Sequence, residues 1–330
     1  MAHPIAAIAT GLVRSGIGIL RMSGDGCIDL ANRVFALYNG QALSSLPDRK
    51  LARGTLFDAQ NRPIDEAMVF VSHAPHSYTG EDTVEFQCHG SPVVLRAVLE
   101  AAFSLGARQA LPGEFTKRAF LNGRMDLSGA EAVADIIDAE TAEAAHNAAG
   151  QLGGAISRRI DEIYGALTDI SSHYHAVLDY PDEDIEDFTL ARYESDIDRC
   201  TAVLESLRAS YDSGKLLHSG VPAAIVGRPN AGKSSLLNAV LGYDRAIVTD
   251  IPGTTRDTIE EKLRLGGVLL RLTDTAGIRE TDDEIERMGV TRSRRAMEQA
   301  DLVLAVIDGH SEITPEDIEL IKCAERAPHG

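Results

Sequence analysis

A chain of 330 residues with 44% hydrophobic and 25% charged residues is too long for one ordinary core, and two or three domains of a globular protein are expected. The formal net charge of −18 excludes a broad nucleic-acid-binding surface, though not a local basic patch or a basic partner that handles RNA. No apolar run is long enough to span a bilayer, the N-terminus has no signal-peptide pattern, and the four cysteines have no paired zinc or redox spacing, so a cytoplasmic protein away from membranes is expected.

Residues 1–118 mix short β-type runs (Ile17–Met22, Met68–Val71, Thr83–Cys88) with a helix that starts at Ser91-Pro92 and stops at Gly106, the pattern of an α+β domain. Residues 119–217 are helical, alanine-rich from about Gly129 to Leu178 and with a second helical run over about Leu190–Leu217. Ser128-Gly-Ala-Glu131 has the form of a capping box, and an acidic turn at 180–187 divides two long helices into an αα-hairpin. From 218 onward the pattern becomes strand (Ala223–Val226), Gly-rich loop, helix (233–241), hairpin around Gly266-Gly267, helix (Ile285–Gln299) and buried strand (Leu302–Ile307). This alternation predicts a mainly parallel sheet with helices on both faces.

Gly227-Arg-Pro-Asn-Ala-Gly-Lys-Ser234 has the phosphate-loop form. Its glycines let backbone N–H groups surround a β-phosphate, Lys233 reaches the β/γ-phosphates, and Ser234 can ligate Mg²⁺. Asp274-Thr275-Ala276-Gly277 ends a β-type run, where an Asp can hold Mg²⁺ through water and a glycine N–H can sense a γ-phosphate. Between them lies Thr249-Asp250-Ile251-Pro252-Gly253-Thr254-Thr255, a loop in which a Thr completes the Mg²⁺ shell only while the γ-phosphate is present. Order and spacing together point to a Ras-like P-loop α/β GTPase, with ATP in place of GTP as the alternative. Ile278 stands where Ras-type proteins have a water-orienting Gln, so hydrolysis is slow or another group takes that role; the acidic cluster Glu280, Asp282, Asp283, Glu284 and Glu286 supplies candidates that spacing alone does not separate.

Other constellations carry less. His173 and His175 are two apart on a helix and face different ways, and Cys88 and His89 point to opposite faces of a strand. Arg292, Arg294 and Arg295 read as a solvated face, and Met288 and Met297 as core packing.

The sequence resembles the tRNA modification GTPase family known as MnmE or TrmE. The resemblance rests on residues 227–238, Ala246–Ile251, Gly253–Asp257 and Asp274–Gly277, and equally on Gly18–Arg21, Tyr78–Asp82, Pro112–Phe115 and Arg118–Asn122. It implies nucleotide contacts from Asn230, Ala231, Gly232, Lys233, Ser234, Ser235, Thr249–Thr255 and Asp274–Gly277. Mg²⁺ would be held by Ser234 and Thr255, and K⁺ by Asn230, Thr249, Ile251 and Thr254. Lys233 and Glu286 would be catalytic, Glu286 positioning the water. It further implies a 1–118 domain that dimerises and binds 5-formyltetrahydrofolate or a related tetrahydrofolate through Arg21, Glu85 and Arg124. The partners implied are GTP and GDP, tRNA, a second copy of the chain, and a flavin- and NADH-using MnmG (GidA) type protein in a heterotetramer. The reaction implied is GTP-dependent modification at carbon 5 of the wobble uridine. No N-K-x-D guanine motif and no C-terminal Cys-x-Gly-Lys follow, so the chain is expected to be a fragment of a longer protein whose last third folds poorly alone. The alternatives are a ribosome-assembly GTPase, which leaves residues 1–120 unaccounted for, and a folate-binding scaffold with an inert nucleotide domain.

Overall fold

The computed structural model describes residues 3–180, 190–228, 231–243, 261–272, 297 and 299–325. The chain divides into two compact units, Met1–Val133 and Ala134–Gly330.

The first unit is built on a seven-stranded sheet with the order β3-β4-β5-β6-β2-β1-β7. Its strands are β1 (Ile5–Ile8), β2 (Ser15–Ser23), β3 (Phe35–Leu37), β4 (Leu51–Phe57), β5 (Pro63–Ser72), β6 (Thr83–Gly90) and β7 (Arg108–Gln109). All neighbours are antiparallel except β1 and β7. The period-two alternation of β2, β5 and β6 sends Leu20, Met22, Val69, Val71, Val84 and Phe86 to one face, where they form a core with residues of α1 (Cys27–Val34) and α2 (Pro92–Ser104). In α2 the apolar residues Leu95, Val98, Ala101 and Ala102 are buried at helical spacing. The helix crosses close over β2: a Cβ on Gly18 would stand 2.8 Å from Leu95 Cδ1. Each large aliphatic side chain removed from water there contributes about 1.5–3 kcal/mol. Ser91 occupies the N-cap position of α2, but its side chain makes no capping hydrogen bond. The opposite face of the sheet carries Arg21, Glu85 and Phe70 in one cross-strand row, since Arg21 pairs with Glu85 and Glu85 with Phe70. Helix α3 (Glu114–Leu121) completes the elements that matter for the site.

Two expectations for the alanine-rich stretch need correction. Its first arm is three helices, α4 (Leu127–Asp138), α5 (Ala142–Leu152) and α6 (Ala155–Asp179), not one long helix. Thr141 starts α5 by accepting from Ala144 N–H, and Gly154, at φ 75°, sets off α6. Ser128 does not cap α4; it lies inside the helix, and Asp126 accepts from Gly129 N–H at 2.6 Å. Asp126 precedes the first helical residue, where an acceptor meets otherwise unpaired N–H groups, so it takes the role first. The second arm, α7 (Leu190–Ser219), pairs with α6 through a hydrogen bond between His173 Nδ1 and Tyr193 Oη.

The last part holds a four-stranded sheet among the described residues, in the order β11-β8-β10-β9. Strands β8 (Val221–Val226), β10 (Val268–Leu272) and β11 (Leu302–Ala305) run parallel, while β9 (Glu261–Leu265) is the antiparallel half of a hairpin with β10. Leu237 of α8 (Lys233–Tyr243) packs on the face carrying Ala223, and Ala324 of α9 (Pro315–Ala324) on the face carrying Ala224 and Val226. The expected mainly parallel sheet with helices on both faces is observed. Met297 packs against the second of these clusters, in keeping with its reading as core. Met288, the three arginines at 292–295 and most of the expected helix at 285–299 lie outside the described residues.

Candidate functional site

The phosphate-type loop leaves β8 at the carboxyl end of the parallel strands, the position at which open α/β sheets bind ligands. Burial of Ala223, Ala224 and Val226 fixes the strand, and the chain turns at once because Gly227 lies against β11 and the residue after it: a Cβ there would stand 2.4 Å from the Val306 carbonyl oxygen. Val306 N–H in turn donates to Val226 O at 2.7 Å. Gly232, at φ 97°, feeds the chain into α8, whose first residue is Lys233.

The Lys233 ammonium curls back over the loop and donates to the carbonyls of Gly227 at 2.8 Å and Arg228 at 2.7 Å. Burial lowers its pKa. These bonds hold the cation in the mouth of the loop, beside the amino end of α8, where the positive end of the helix favours an anion. Ser234 and Ser235 are exposed in the first turn, and Ala231 and Gly232 are half-buried in the loop. Asn230, Thr249, Asp250, Ile251, Pro252, Gly253, Thr254, Thr255, Asp274, Thr275, Ala276, Gly277 and Glu286 lie outside the described residues. Of the expected metal ligands, Ser234 alone is therefore described. Among the described residues, no group of three or more His, Cys, Asp or Glu side chains is placed to hold a metal ion.

A feature not singled out from the sequence braces this loop. Arg228 faces the buried carboxylate of Asp317 at 3.4 Å and Glu316 at 3.8 Å. Asp317 also accepts from the backbone N–H and hydroxyl of Thr314, and those bonds, the first chief among them, lower its pKa. The sequence gives no local sign of this pair because its members are far apart in the chain.

In the first unit, Arg21 and Glu85 are direct cross-strand partners and form an ion pair at 2.6 Å through Nε and Oε1. Both are half-buried. The Arg21 guanidinium lies between two aromatic rings, 5.3 Å from the centroid of Tyr78 and 5.5 Å from that of Phe115. Neither terminal amine of Arg21, nor Glu85 Oε2, makes a hydrogen bond to another described residue. The site thus offers a forked cation and a carboxylate acceptor side by side, suited to a planar ligand with both a donor edge and an anionic group. Arg124 is close to the same loop: its Nε donates to Ser77 O at 3.1 Å, and its Cγ would meet a Cβ on Gly80 at 3.2 Å. Tyr78 and Phe115 belong to sequence motifs noted above but were given no role, since only the tertiary fold brings them to Arg21.

The Cys88–His89 constellation behaves as expected. Cys88 is buried, and burial pushes its pKa up to about 11, while His89 on the other face is exposed and bound to Asp65. No described helix is long and apolar enough to cross a membrane.

Residues 4–124 match the family model described as GTP-binding protein TrmE N-terminus, and residues 222–329 match that described as 50S ribosome-binding GTPase. Proteins named tRNA modification GTPase MnmE resemble the chain over both parts. The one from Clostridioides difficile is 45% identical over 318 residues, covering 96% of this chain and 69% of that protein. The one from Aquifex aeolicus is 45% identical over 329 residues, covering 100% of this chain and 72% of that protein. The one from Geobacillus thermodenitrificans is 45% identical over 323 residues, covering 97% and 70%. With the phosphate loop at one end and the Arg21–Glu85 site at the other both embedded in that continuous similarity, the chain belongs to the MnmE family of tRNA modification GTPases.

Proposed function

We propose that this GTPase acts in the cytoplasm on tRNA, driving modification at carbon 5 of the wobble uridine together with a flavin- and NADH-using partner of the MnmG type in a heterotetramer. The single observation that carries this reading is the pairing, in one chain 45% identical to MnmE proteins, of the Lys233 loop with an aromatic-flanked Arg21–Glu85 pair. In this reading residues 1–118 form the folate-binding and dimerisation domain, 119–217 the helical domain and 218–330 the GTPase domain.

Lys233 is already desolvated at the mouth of the loop, so it can transfer its hydrogen bonds from carbonyls to phosphate oxygens with little reorganisation. Asn230, Ala231, Gly232, Ser234, Ser235, Thr249–Thr255 and Asp274–Gly277 complete the nucleotide contacts. Ser234 and Thr255 would hold Mg²⁺, and Asn230, Thr249, Ile251 and Thr254 would hold K⁺, ions that would supply positive charge against the phosphates. Glu286 positions the attacking water. Arg21, Glu85 and Arg124 take the tetrahydrofolate, which supplies a one-carbon unit: the arginines suit its anionic tail or formyl oxygen, and the carboxylate suits the pterin N–H edge.

The test is GTP turnover in K⁺ against Na⁺ at equal ionic strength, with fluorescent-nucleotide binding to the wild type and Lys233→Ala, and titration with 5-formyltetrahydrofolate. K⁺-dependent turnover, nucleotide binding lost in Lys233→Ala, and folate binding lost in Arg21→Ala are expected. The match of residues 222–329 to a ribosome-binding GTPase model favours a second reading, a ribosome-associated switch. It predicts nucleotide binding without folate binding, so the folate titration separates the two.

A further inference from the structure

We propose that Arg118 is a positioning residue for the Arg21–Glu85 site: it fixes, from behind, the loop and the helix whose aromatic rings flank Arg21. The inference rests on the folate reading of that site for its ligand, but on geometry for its mechanism.

Tyr78 reaches Arg21 from loop 77–82, and Phe115 reaches it from the first turn of α3. The apolar core lies on the other face of the sheet, so its packing does not position either ring. The links that hold them are polar. Arg118, only 10% exposed at its side chain, donates from Nη1 to Glu81 Oε2 at 2.8 Å in the loop, and from Nη2 to Glu114 Oε1 at 3.1 Å on its own helix and to His3 O at 2.9 Å. Glu81 Oε2 also accepts from Ser23 Oγ at 2.8 Å, and that hydroxyl is 2.7 Å from Thr79 Oγ1, which ties the loop to β2 two residues beyond Arg21. Glu114 is held in turn by Arg108 and by Leu111 N–H. Across the top, Tyr78 Oη meets Thr116 Oγ1 at 2.9 Å. Loop, helix and strand therefore share one largely buried polar network, bordered by the exposed Tyr78–Thr116 contact, and Arg118 is the member that contacts both carboxylates.

A guanidinium is suited to this place. Its planar fork presents donors from two separate nitrogens in fixed directions, whereas all of a lysine's donors radiate from one nitrogen. Without it, the Glu81 carboxylate would keep only the Ser23 hydroxyl and no cation among the described residues, and Glu114 would keep Arg108 as its one cation; in a largely dry setting both would relax towards water. The loop and the first turns of α3 would then loosen against each other, and the aromatic pair with them, while Asn122 and Arg124 still reach Thr79 O and Ser77 O beyond the helix.

The experiment uses the full chain carrying Arg118→Lys, which keeps the charge and loses the fork. Two readouts are taken: the Kd for 5-formyltetrahydrofolate, and amide hydrogen exchange by segment. Exchange is expected to quicken at least about tenfold in residues 77–82 and 114–121 while β2 and β6 keep their protection, and folate binding to weaken by about tenfold or more. In a Tyr78→Ala background the same substitution should change folate affinity far less, because the ring it positions is gone; a purely structural residue would show additive effects. If Arg118→Lys destabilises the whole unit, Glu81→Gln probes the same link from the loop side. Unchanged exchange in both segments overturns the proposal, as does additivity with Tyr78→Ala. If the wild type takes no folate, the folate reading of the site fails, and the exchange result alone decides whether Arg118 holds the loop and helix.

Discussion

Replacing Gly80 by alanine tests how tightly loop 77–82 is seated. Gly80 has φ 79°, a left-handed backbone that costs an alanine about 1.5 kcal/mol. Its new Cβ would stand 2.9 Å from Asn122 Cβ and 3.2 Å from Arg124 Cγ. Asn122 cannot yield freely, because its Nδ2 donates to Thr79 O at 2.8 Å. Losing that bond and crowding its neighbours adds about 1 kcal/mol, for a total of about 2.5 kcal/mol. Gly40 is the control: its φ is 71°, yet nothing lies within 4 Å of an added Cβ, so Gly40→Ala should carry the backbone cost alone. Native-state hydrogen exchange of the β2 and β6 amides in the full chain reads the opening free energy of the first unit. Gly80→Ala should lower it by about 1 kcal/mol more than Gly40→Ala, roughly a fivefold difference in opening constant. Equal effects would show that the loop is not packed against residues 122–124, and the reasoning would fall.

Glu114 has its pKa lowered from 4.5 to about 2, first by the hydrogen bond from Arg108. A depressed carboxylate stabilises the fold above about pH 4.5 and loses that contribution as the pH falls towards 2. Glu114→Gln should therefore unfold more easily than the wild type at neutral pH, by about 1–3 kcal/mol, and converge with it near pH 2 in an acid titration of hydrogen exchange or circular dichroism. Gly227→Ala would set a Cβ 2.4 Å from a backbone oxygen, and titration with a fluorescent nucleotide should show at least a ~10-fold loss of affinity as the loop shifts. Gly54→Ala would bring a Cβ 2.2 Å from Ala36 O, and should cost about 3 kcal/mol and free the β3 and β4 amides to exchange before those of β2.

What was legible from the sequence depended on how local its causes are. The Lys233 loop stood out because strand, glycines and helix follow one another without interruption. Strands β2, β5 and β6 stood out through their alternation, and the hairpin of β9 and β10 through Gly266-Gly267. Strand β4 did not: Leu51–Phe57 contains Gly54, which reads as a breaker, yet the glycine is there because Ala36 and Phe35 press against it. The short helices α1 and α3 each have only eight residues, too few for a helical period to show. The alanine-rich arm read as continuous because alanine favours helix everywhere; the breaks at Thr141 and Gly154 depend on caps that propensity sums do not weigh. For the sites, the loop pattern marked Lys233, whereas residue type alone left Arg21 and Glu85 as surface charges and only the family resemblance singled them out. The flanking rings and the Arg118 network join residues up to 115 positions apart, and no local pattern records such a meeting.

The large sheet ends in very short strands, three residues in β3 on one side and two in β7 on the other. An outermost strand presents a row of unsatisfied N–H and C=O groups that can recruit a strand from another molecule. Here each row is too brief to template such pairing. The unit can thus keep the surface around Arg21, Tyr78 and Phe115 partly open to solvent while its margins resist the edge-to-edge association that leads to aggregates.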